Sequence, residues 1–335
     1  MNKKIAIYGP YPPPLGGISV HIKRMVPFLK KANLDYTIFD FGYTEKENVI
    51  PTKKSIFWYL KILFNRQFDL LHFHQLFAFE FIFYYIFSII NRTEAIVSIH
   101  SERLLKYSST YRDMNLFFLK KSKLKVIAVS KNLTDLLLKS GIDVVFLPAY
   151  VPPEDIVFKP IKKDQRVYFL YSVWKLDKKL GDEIYNVPLV SKFLSENKLN
   201  YKMLFLIGNK EISDLNYLNK MIKEYDIAES VEILYGKNLV DYVQNCSFLL
   251  KTNYVDGYGV ALQEAMDLGV PAIASDVCIR PKGTVLFKDD DLGDLKLKIN
   301  HTMSQPVESI LKEKEELQYH LELIKIYKNS LIKQS

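Results

Sequence analysis

Short, nearly continuous apolar runs alternate along the chain with stretches in which apolar residues recur every three or four positions. The runs at 3–8, 36–41 (YTIFDF), 68–75 (FDLLHFHQ), 95–103 (AIVSIHSER) and 144–153 (VVFLPAYVPP) predict buried strands in the first half. Between the last two, KLKVIAVSKNLTDLLLKSGI at 123–142 predicts a strand, an N-cap at Ser130 and an amphipathic helix. The second half repeats the scheme, with a strand and basic loop before a helix from about Pro188. Strands follow at 201–208, 231–234, 248–253 and 271–275, with a helix at 213–225 and a charged helix over 307–332. Residues 42–54 read as a polar connection and 144–153 as a strand with a proline-rich exit. This alternation predicts an α/β protein of two doubly wound, Rossmann-like domains facing a cleft, over 1–150 and 151–305, with a tail at 306–335.

A chain of 335 residues, 48% hydrophobic and 25% charged, is globular and long for one core. Cys246 and Cys278 lack the spacing of a disulfide framework or zinc site. The opening MNKKIAIYG is too short an apolar run for a secretory signal and reads as a first strand, which implies a cytoplasmic protein. The net charge of +8 is uneven: residues 1–150 hold 21 Lys and Arg against 11 Asp and Glu, the remainder 25 against 27. A basic first half implies an anionic partner surface. The segment 76–90 is apolar except for Glu80 and Ser88, yet shorter than the roughly 20 residues that span a bilayer. Lys53, Lys54, Lys61, Arg66 and Arg92 flank it, so residues 53–92 predict peripheral contact with the inner membrane face, through a helix within 55–92 lying in the interface. A buried core helix is the alternative. No nucleic-acid motif is present, and no nucleic-acid partner is expected.

The chemistry concentrates in TNYVDGYGVALQEAMDLGVPAIASD at 252–276. Asp256 and the glycines Gly257 and Gly259 precede a helix carrying Glu264, Gly269 and Pro271 stop that helix, and a strand follows. Glycines let backbone N–H groups approach a ligand, and a helix start favours an anion. That arrangement suits a diphosphate, with one carboxylate on either side to accept hydroxyls. The stretch resembles the retaining glycosyltransferases of family 4, whose GT-B fold carries an acid-x7-acid motif followed by EAM-x-x-G-x-P-x-I-A-S-D. The resemblance implies that Asp256, where the family commonly has Glu, binds hydroxyls of the donor sugar and that Glu264 holds the nucleotide ribose. Gly257, Gly259 and Val260 would meet the diphosphate, with Lys251 in reach.

Further segments resemble the same family. Gly16 and Gly17, before the first helix, match the glycines that face the donor diphosphate. FDLLHFHQ resembles a D-x-x-H-x-H segment; His72 and His74 share one strand face, but no Cys or carboxylate completes a metal site, and none is expected. His100 stands at the C-terminal edge of its strand, where the family places a His against the transferred sugar, with Glu102 and Arg103 on the acceptor side. Lys175 stands where the family has Arg, and Leu180 where it has Lys, so Lys179 is the nearest replacement. Asp289–Asp291 read as a helix cap. Arg280 and Gly283 match a pattern of some family members, and the tail helix in this fold often crosses back to the first domain. The resemblance implies metal-independent, retaining transfer from a nucleoside diphosphate sugar, most simply a UDP-sugar, to a lipid-linked glycan in capsule, O-antigen or teichoic-type assembly, with no cofactor. A non-catalytic glycan-binding or partner subunit and a nucleotide-sugar epimerase are the competing readings.

Overall fold

The computed structural model describes residues 3–13, 16–41, 45–53, 55–75, 80–91, 93–100, 103–154 and 156–332. Lys54, residues 76–79, Arg92, Ser101 and Glu102, named above, lie outside the described residues. The chain divides into two compact units, Met1–Val151 with Leu317–Ser335, and Pro152–Glu316.

The first unit holds seven parallel strands: β1 Lys4–Gly9, β2 Asp35–Asp40, β3 Val49–Pro51, β4 Leu70–Gln75, β5 Glu94–Ile99, β6 Lys125–Ala128 and β7 Val144–Phe146, in the order β3-β2-β1-β4-β5-β6-β7. Alternate residues feed two cores. Ala6, Tyr8, Leu71, Phe73, Val97 and Ile99 pack on one face, and Ile5, Ile7, Leu70 and Ile96 on the other. The second core also takes Ile22, Met25 and Leu29 from the helix Gly17–Lys31 and Leu323, Tyr327 and Leu331 from the helix Tyr319–Ile332. Strands buried on both faces need continuous apolar runs, which is why these segments do not alternate.

Three expectations are corrected here. Residues 42–54 include the edge strand β3, paired with β2 through Ile38 and Val49. The helix expected within 55–92 is two helices, Ile56–Phe64 and Glu80–Ile90, on either side of the expected strand β4, because Asn65 turns extended and Leu70–Phe73 are drawn into the sheet. The tail is two helices, Val307–Leu311 and Tyr319–Ile332. Between them Glu315 O accepts from Gln263 Nε2 at 3.2 Å and Lys314 pairs with Asp267 at 3.1 Å, which fastens residues 314–315 to the second unit.

The second unit has six parallel strands: β8 Val167–Val173, β9 Tyr201–Ile207, β10 Val231–Tyr235, β11 Phe248–Lys251, β12 Ala272–Ser275 and β13 Val285–Phe287, in the order β10-β9-β8-β11-β12-β13. Phe169, Tyr171, Phe205 and Phe248 fill one face, with Phe169 stacked on Phe248 at 5.3 Å, and Leu170, Leu204, Leu249 and Ala272 fill the other. The helix Val260–Asp267 stops as its sequence requires. Gly269 adopts φ +78°, its N–H donates to Met266 O at 3.1 Å, and the Val270 N–H donates to Ala265 O at 2.9 Å. This doubly bonded cap satisfies the last carbonyls. A Cβ at Gly269 would meet no atom within 4 Å, so only backbone strain opposes it. Gly269→Ala should therefore lower stability in a urea titration by about 1 kcal/mol with unchanged secondary structure; no loss at all would contradict the left-handed cap.

Candidate active site

In the second unit the strand order reverses between β8 and β11. The helix after β8 returns to β9 on one side and the helix after β11 returns to β12 on the other. Their departing loops leave a crevice at the strand C-termini, where open parallel sheets bind ligands. The segments that meet there are 174–186 and 252–259.

Lys251 ends β11, and Asp256 follows five residues later. The Asp256 carboxylate receives Lys251 Nζ at 2.8 Å and the Arg280 guanidinium on the same oxygen, while its other oxygen accepts the Gly257 N–H at 3.0 Å. Arg280 is all but sealed, with its side chain 1% exposed, and donates from Nε to Ser275 O at 3.1 Å. Its Nη2 reaches Ser275 Oγ at 3.3 Å, and that hydroxyl in turn donates to Asn253 O at 2.6 Å. Burial pushes the Asp256 carboxyl up, but the charges of Lys251 and Arg280 outweigh it and hold the pKa at about 2. Two cations against one carboxylate make the Lys251–Asp256–Arg280 triad itself positive, with the carboxylates of Asp276 and Asp289 on its Arg280 side.

Gly259 then turns the chain into the helix Val260–Asp267. It adopts φ +84°, and an added Cβ would stand 2.7 Å from Leu262 Cδ1 and 3.1 Å from Arg280 Nη1. No side chain caps this helix. Glu264, one turn in, is buried. A helix start leaves its first N–H groups without helical partners, and here it stands beside the positive triad.

The loop after β8 is tied to the same place. Thr252 Oγ1 donates to Tyr185 O at 2.7 Å, Tyr171 Oη donates to that carbonyl at 2.6 Å, and the Tyr254 N–H donates to Ile184 O at 2.9 Å. Asp290 joins the bundle, accepting Asn186 Nδ2 at 3.0 Å and Tyr254 Oη at 2.8 Å. Of the three aspartates only Asp291 caps the next helix, accepting the Asp294 N–H at 3.0 Å. Lys175 faces Asp177 at 3.3 Å, and Tyr185 Oη accepts the Trp174 N–H at 3.3 Å. Lys179 is exposed on the short turn Lys178–Leu180, apart from the triad's contacts. The structure thus brings Lys251, Asp256, Gly257, Gly259 and Val260 together. It adds Arg280 as a direct partner, along with Tyr185, Thr252 and Asp290, which the sequence reading did not select as site residues.

The first unit carries the remaining residues. Gly16 caps the helix Gly17–Lys31; its N–H donates to Ser19 Oγ at 2.9 Å, and a Cβ on Gly17 would meet nothing within 4 Å. His100, expected to stand against the transferred sugar, shares a 2.8 Å hydrogen bond between its Nε2 and His74 Nδ1, because β4 and β5 pair in register. Below them His72 bonds Tyr327 Oη at 2.5 Å and Ser98 Oγ at 2.8 Å. His21, on the helix Gly17–Lys31, lies 5.6 Å from the His74 ring, and burial lowers all four imidazoles, His21 to about 4 and His72 to about 3, with neighbouring histidines adding to the effect at His72, His74 and His100. They are neutral near pH 7. Among the described residues no group of three or more His, Cys, Asp or Glu is arranged to hold a metal ion.

The sequence model of the family described as Glycosyl transferases group 1 matches residues 153–285, which span the whole crevice just described. Residues 153–285 thus carry a group 1, or family 4, glycosyltransferase domain. No curated protein matches it significantly in sequence. Solved structures share the GT-B fold over its whole length. The apo form of the lipopolysaccharide outer core galactosyltransferase WaaB is 16% identical with a TM-score of 0.65, covering 99% of this chain and 100% of that one. Sucrose-phosphate synthase from Thermosynechococcus elongatus is 14% identical, TM-score 0.74, covering 99% and 100%. Anabaena HepE in complex with UDP-glucose is 12% identical, TM-score 0.72, covering 97% and 99%. Transferases of this family move a sugar from a nucleotide sugar with retention of anomeric configuration, and typically without a metal.

In this glycosyltransferase the triad dominates the local electrostatics. Asp256→Asn keeps the shape but leaves Lys251 and the sealed Arg280 facing each other, and should cost about 3 kcal/mol in a urea titration; a cost below about 1 kcal/mol would contradict the geometry. The native carboxyl, depressed from 3.8 to about 2, contributes stability that is complete above pH 3.8 and lost as pH falls towards 2, roughly 2 kcal/mol that the variant should lack. The histidines act earlier. With His21 and His72 lowered from 6.5, their contribution is complete above pH 6.5 and lost as pH falls towards 4 and 3. Trp58 emission in a Trp174→Phe background should show the first unit weakening towards urea between pH 6.5 and 4, and an unchanged midpoint there would contradict buried neutral imidazoles.

Proposed function

We propose that this transferase moves a sugar from a UDP-sugar to a hydroxyl of a lipid-linked glycan in the assembly of a surface polysaccharide, at the cytoplasmic, anionic face of a membrane. The observation that carries the donor half is the Lys251–Asp256–Arg280 triad beside an uncapped helix start at the strand switch point. As the anomeric bond breaks, negative charge grows on the departing diphosphate. Fixed positive groups already in place lower that barrier without reorganising. Lys251 and the N–H groups near Val260 meet the diphosphate, the sealed Arg280 adds its charge from behind Asp256, and Lys175 and Lys179 approach from the loop after β8. Glu264 accepts the ribose hydroxyls. Asp256 has three of its roughly four acceptor positions filled by Lys251, Arg280 and the Gly257 N–H, so it holds the cations and offers one lone pair to a sugar hydroxyl. Gly17 offers its N–H to the diphosphate, Gly16 holds the turn by donating its own to Ser19 Oγ, and neutral His100 accepts or donates at the transferred sugar. No carboxylate nucleophile is assigned, and same-face attack assisted by the leaving phosphate gives retention.

HepE was solved with UDP-glucose and WaaB acts on lipopolysaccharide outer core, which supports a UDP-sugar donor and a surface glycan acceptor. Capsule, O-antigen and teichoic-type polymers share that chemistry. Membrane contact is supported by exposed apolar residues on helices of the basic first unit, notably Phe57 at 77% and Phe64 at 67% beside Lys61. No helix among the described residues is long and apolar enough to cross a membrane.

Thermal unfolding with a panel of nucleotides and sugar nucleotides tests the donor assignment, since a ligand that binds only the folded state raises Tm. A UDP-sugar should raise Tm selectively, and Glu264→Ala should abolish that shift. Equal shifts in wild type and Glu264→Ala would remove Glu264 from the ribose. No shift with any nucleotide would overturn the donor site.

A further inference from the structure

A cavity of about 340 Å³ opens in the first unit beside the C-terminal ends of β1, β2 and β3. Its size falls in the range of small-molecule sites, roughly 300–1,000 Å³. The lining is aromatic: Tyr8 stacks on Phe39 at 4.8 Å, Trp58 meets Tyr8 edge-on at 5.8 Å, and Phe57 and Ile50 stand at the mouth, exposed. Burial drives the Tyr8 hydroxyl far above its ordinary range, so it adds no charge. The charges come from Lys53 and Lys61, and among the described lining residues none is acidic. A second, shallower depression of about 520 Å³ shares Lys61 and Asn65 and continues past Leu60 and Phe64. Arg66 borders it but is occupied, donating to Ile90 O at 3.0 Å and Asn91 Oδ1 at 3.1 Å.

An apolar aromatic trough with two uncompensated lysines fits one kind of ligand: a long apolar chain that carries a phosphate where it leaves the protein. We propose that the cavity holds the lipid phosphate of the acceptor, the first part of its chain lying against Tyr8, Phe39, Phe57 and Trp58, its phosphate paired with Lys53 and Lys61, and the chain continuing along Leu60 and Phe64. This rests on the lipid-linked acceptor reading above and gives it an address. A long apolar chain covers these aromatic walls without bringing hydroxyls that need partners. Lysine suits a phosphate as a compact point charge. The exposed flank of the same helix lets the trough open towards the membrane that carries such a lipid.

Trp58 is built into the wall and is one of only two tryptophans in the chain. In a Trp174→Phe background, titration with farnesyl phosphate below its micellar range should give a saturable change in Trp58 emission. Farnesol, which lacks the phosphate, and the Lys53→Ala/Lys61→Ala double variant should each bind about tenfold more weakly. Both lysines are exposed, so the double variant should keep its circular dichroism and its UDP-sugar Tm shift. A folded protein whose Trp58 ignores farnesyl phosphate, or responds equally in the double variant, overturns the proposal. Phosphatidylglycerol vesicles that give the same response and compete with farnesyl phosphate would assign the lysines to bulk headgroups and overturn it too. Transfer assays separate this from the underlying reading. A wild type that requires a lipid-linked acceptor while Trp58 stays silent loses only the pocket. A wild type that glycosylates lipid-free acceptor equally well loses the lipid-linked reading, whatever Trp58 does.

Discussion

Two cations share one carboxylate where β11 gives way to a helix, and much of the second unit is arranged to keep them there. Arg280 is almost fully removed from water, which is tolerable only because Asp256, the Ser275 carbonyl and the Ser275 hydroxyl receive its donors. Ser275 ends β12 and Lys251 ends β11, so the pairing of these two strands fixes both sides of the cluster. Gly259 has room for no side chain because Leu262 and Arg280 close around it. The ionic cluster, the tight turn and the helix start are therefore one object, and its net positive charge is available to an anionic leaving group.

The first unit solves a different problem with similar means. Its histidines sit in a buried column from Tyr327 through His72 and His74 to His100, with ring centroids 4.3 Å and 5.0 Å apart for successive histidine pairs. Burial keeps the imidazoles neutral, so His100 is presented as a polar group without charge. The helix Tyr319–Ile332 supplies the base of the column through Tyr327, which gives that helix a part in orienting residues more than 200 positions earlier.

The parts legible in the sequence were the local ones. Asp256, Gly259, Glu264 and Gly269 fall within fourteen residues, and a helix start, a glycine turn and a glycine stop are written in consecutive positions. Burial of β1, β4, β8 and β11 on both faces was equally plain in their apolar runs. What the sequence did not disclose depends on where strands return. Arg280 meets Asp256 across 24 positions only because β12 lies beside β11. His74 meets His100 only through the register of β4 and β5. Asp290 looked like one of three capping acids, yet it ties Asn186 to Tyr254 from a left-handed backbone position. Within residues 55–92 the strand at 68–75 was legible, but an even aromatic and basic composition hid that one helix lies on each side of it. The edge strand β3 has three residues, too few to show any period.

The proposed donor site requires Asp256 and Arg280 to act as one unit in binding the diphosphate. A double-mutant cycle measures this directly: calorimetric affinity for UDP in wild type, Asp256→Asn, Arg280→Ala and the double variant, each checked for folding. Contacting charges in one network should couple by more than about 1 kcal/mol, with the double variant closer to either single one than their sum predicts. Losses that add to within about 0.5 kcal/mol would show that the two residues serve UDP separately, and would contradict the claim.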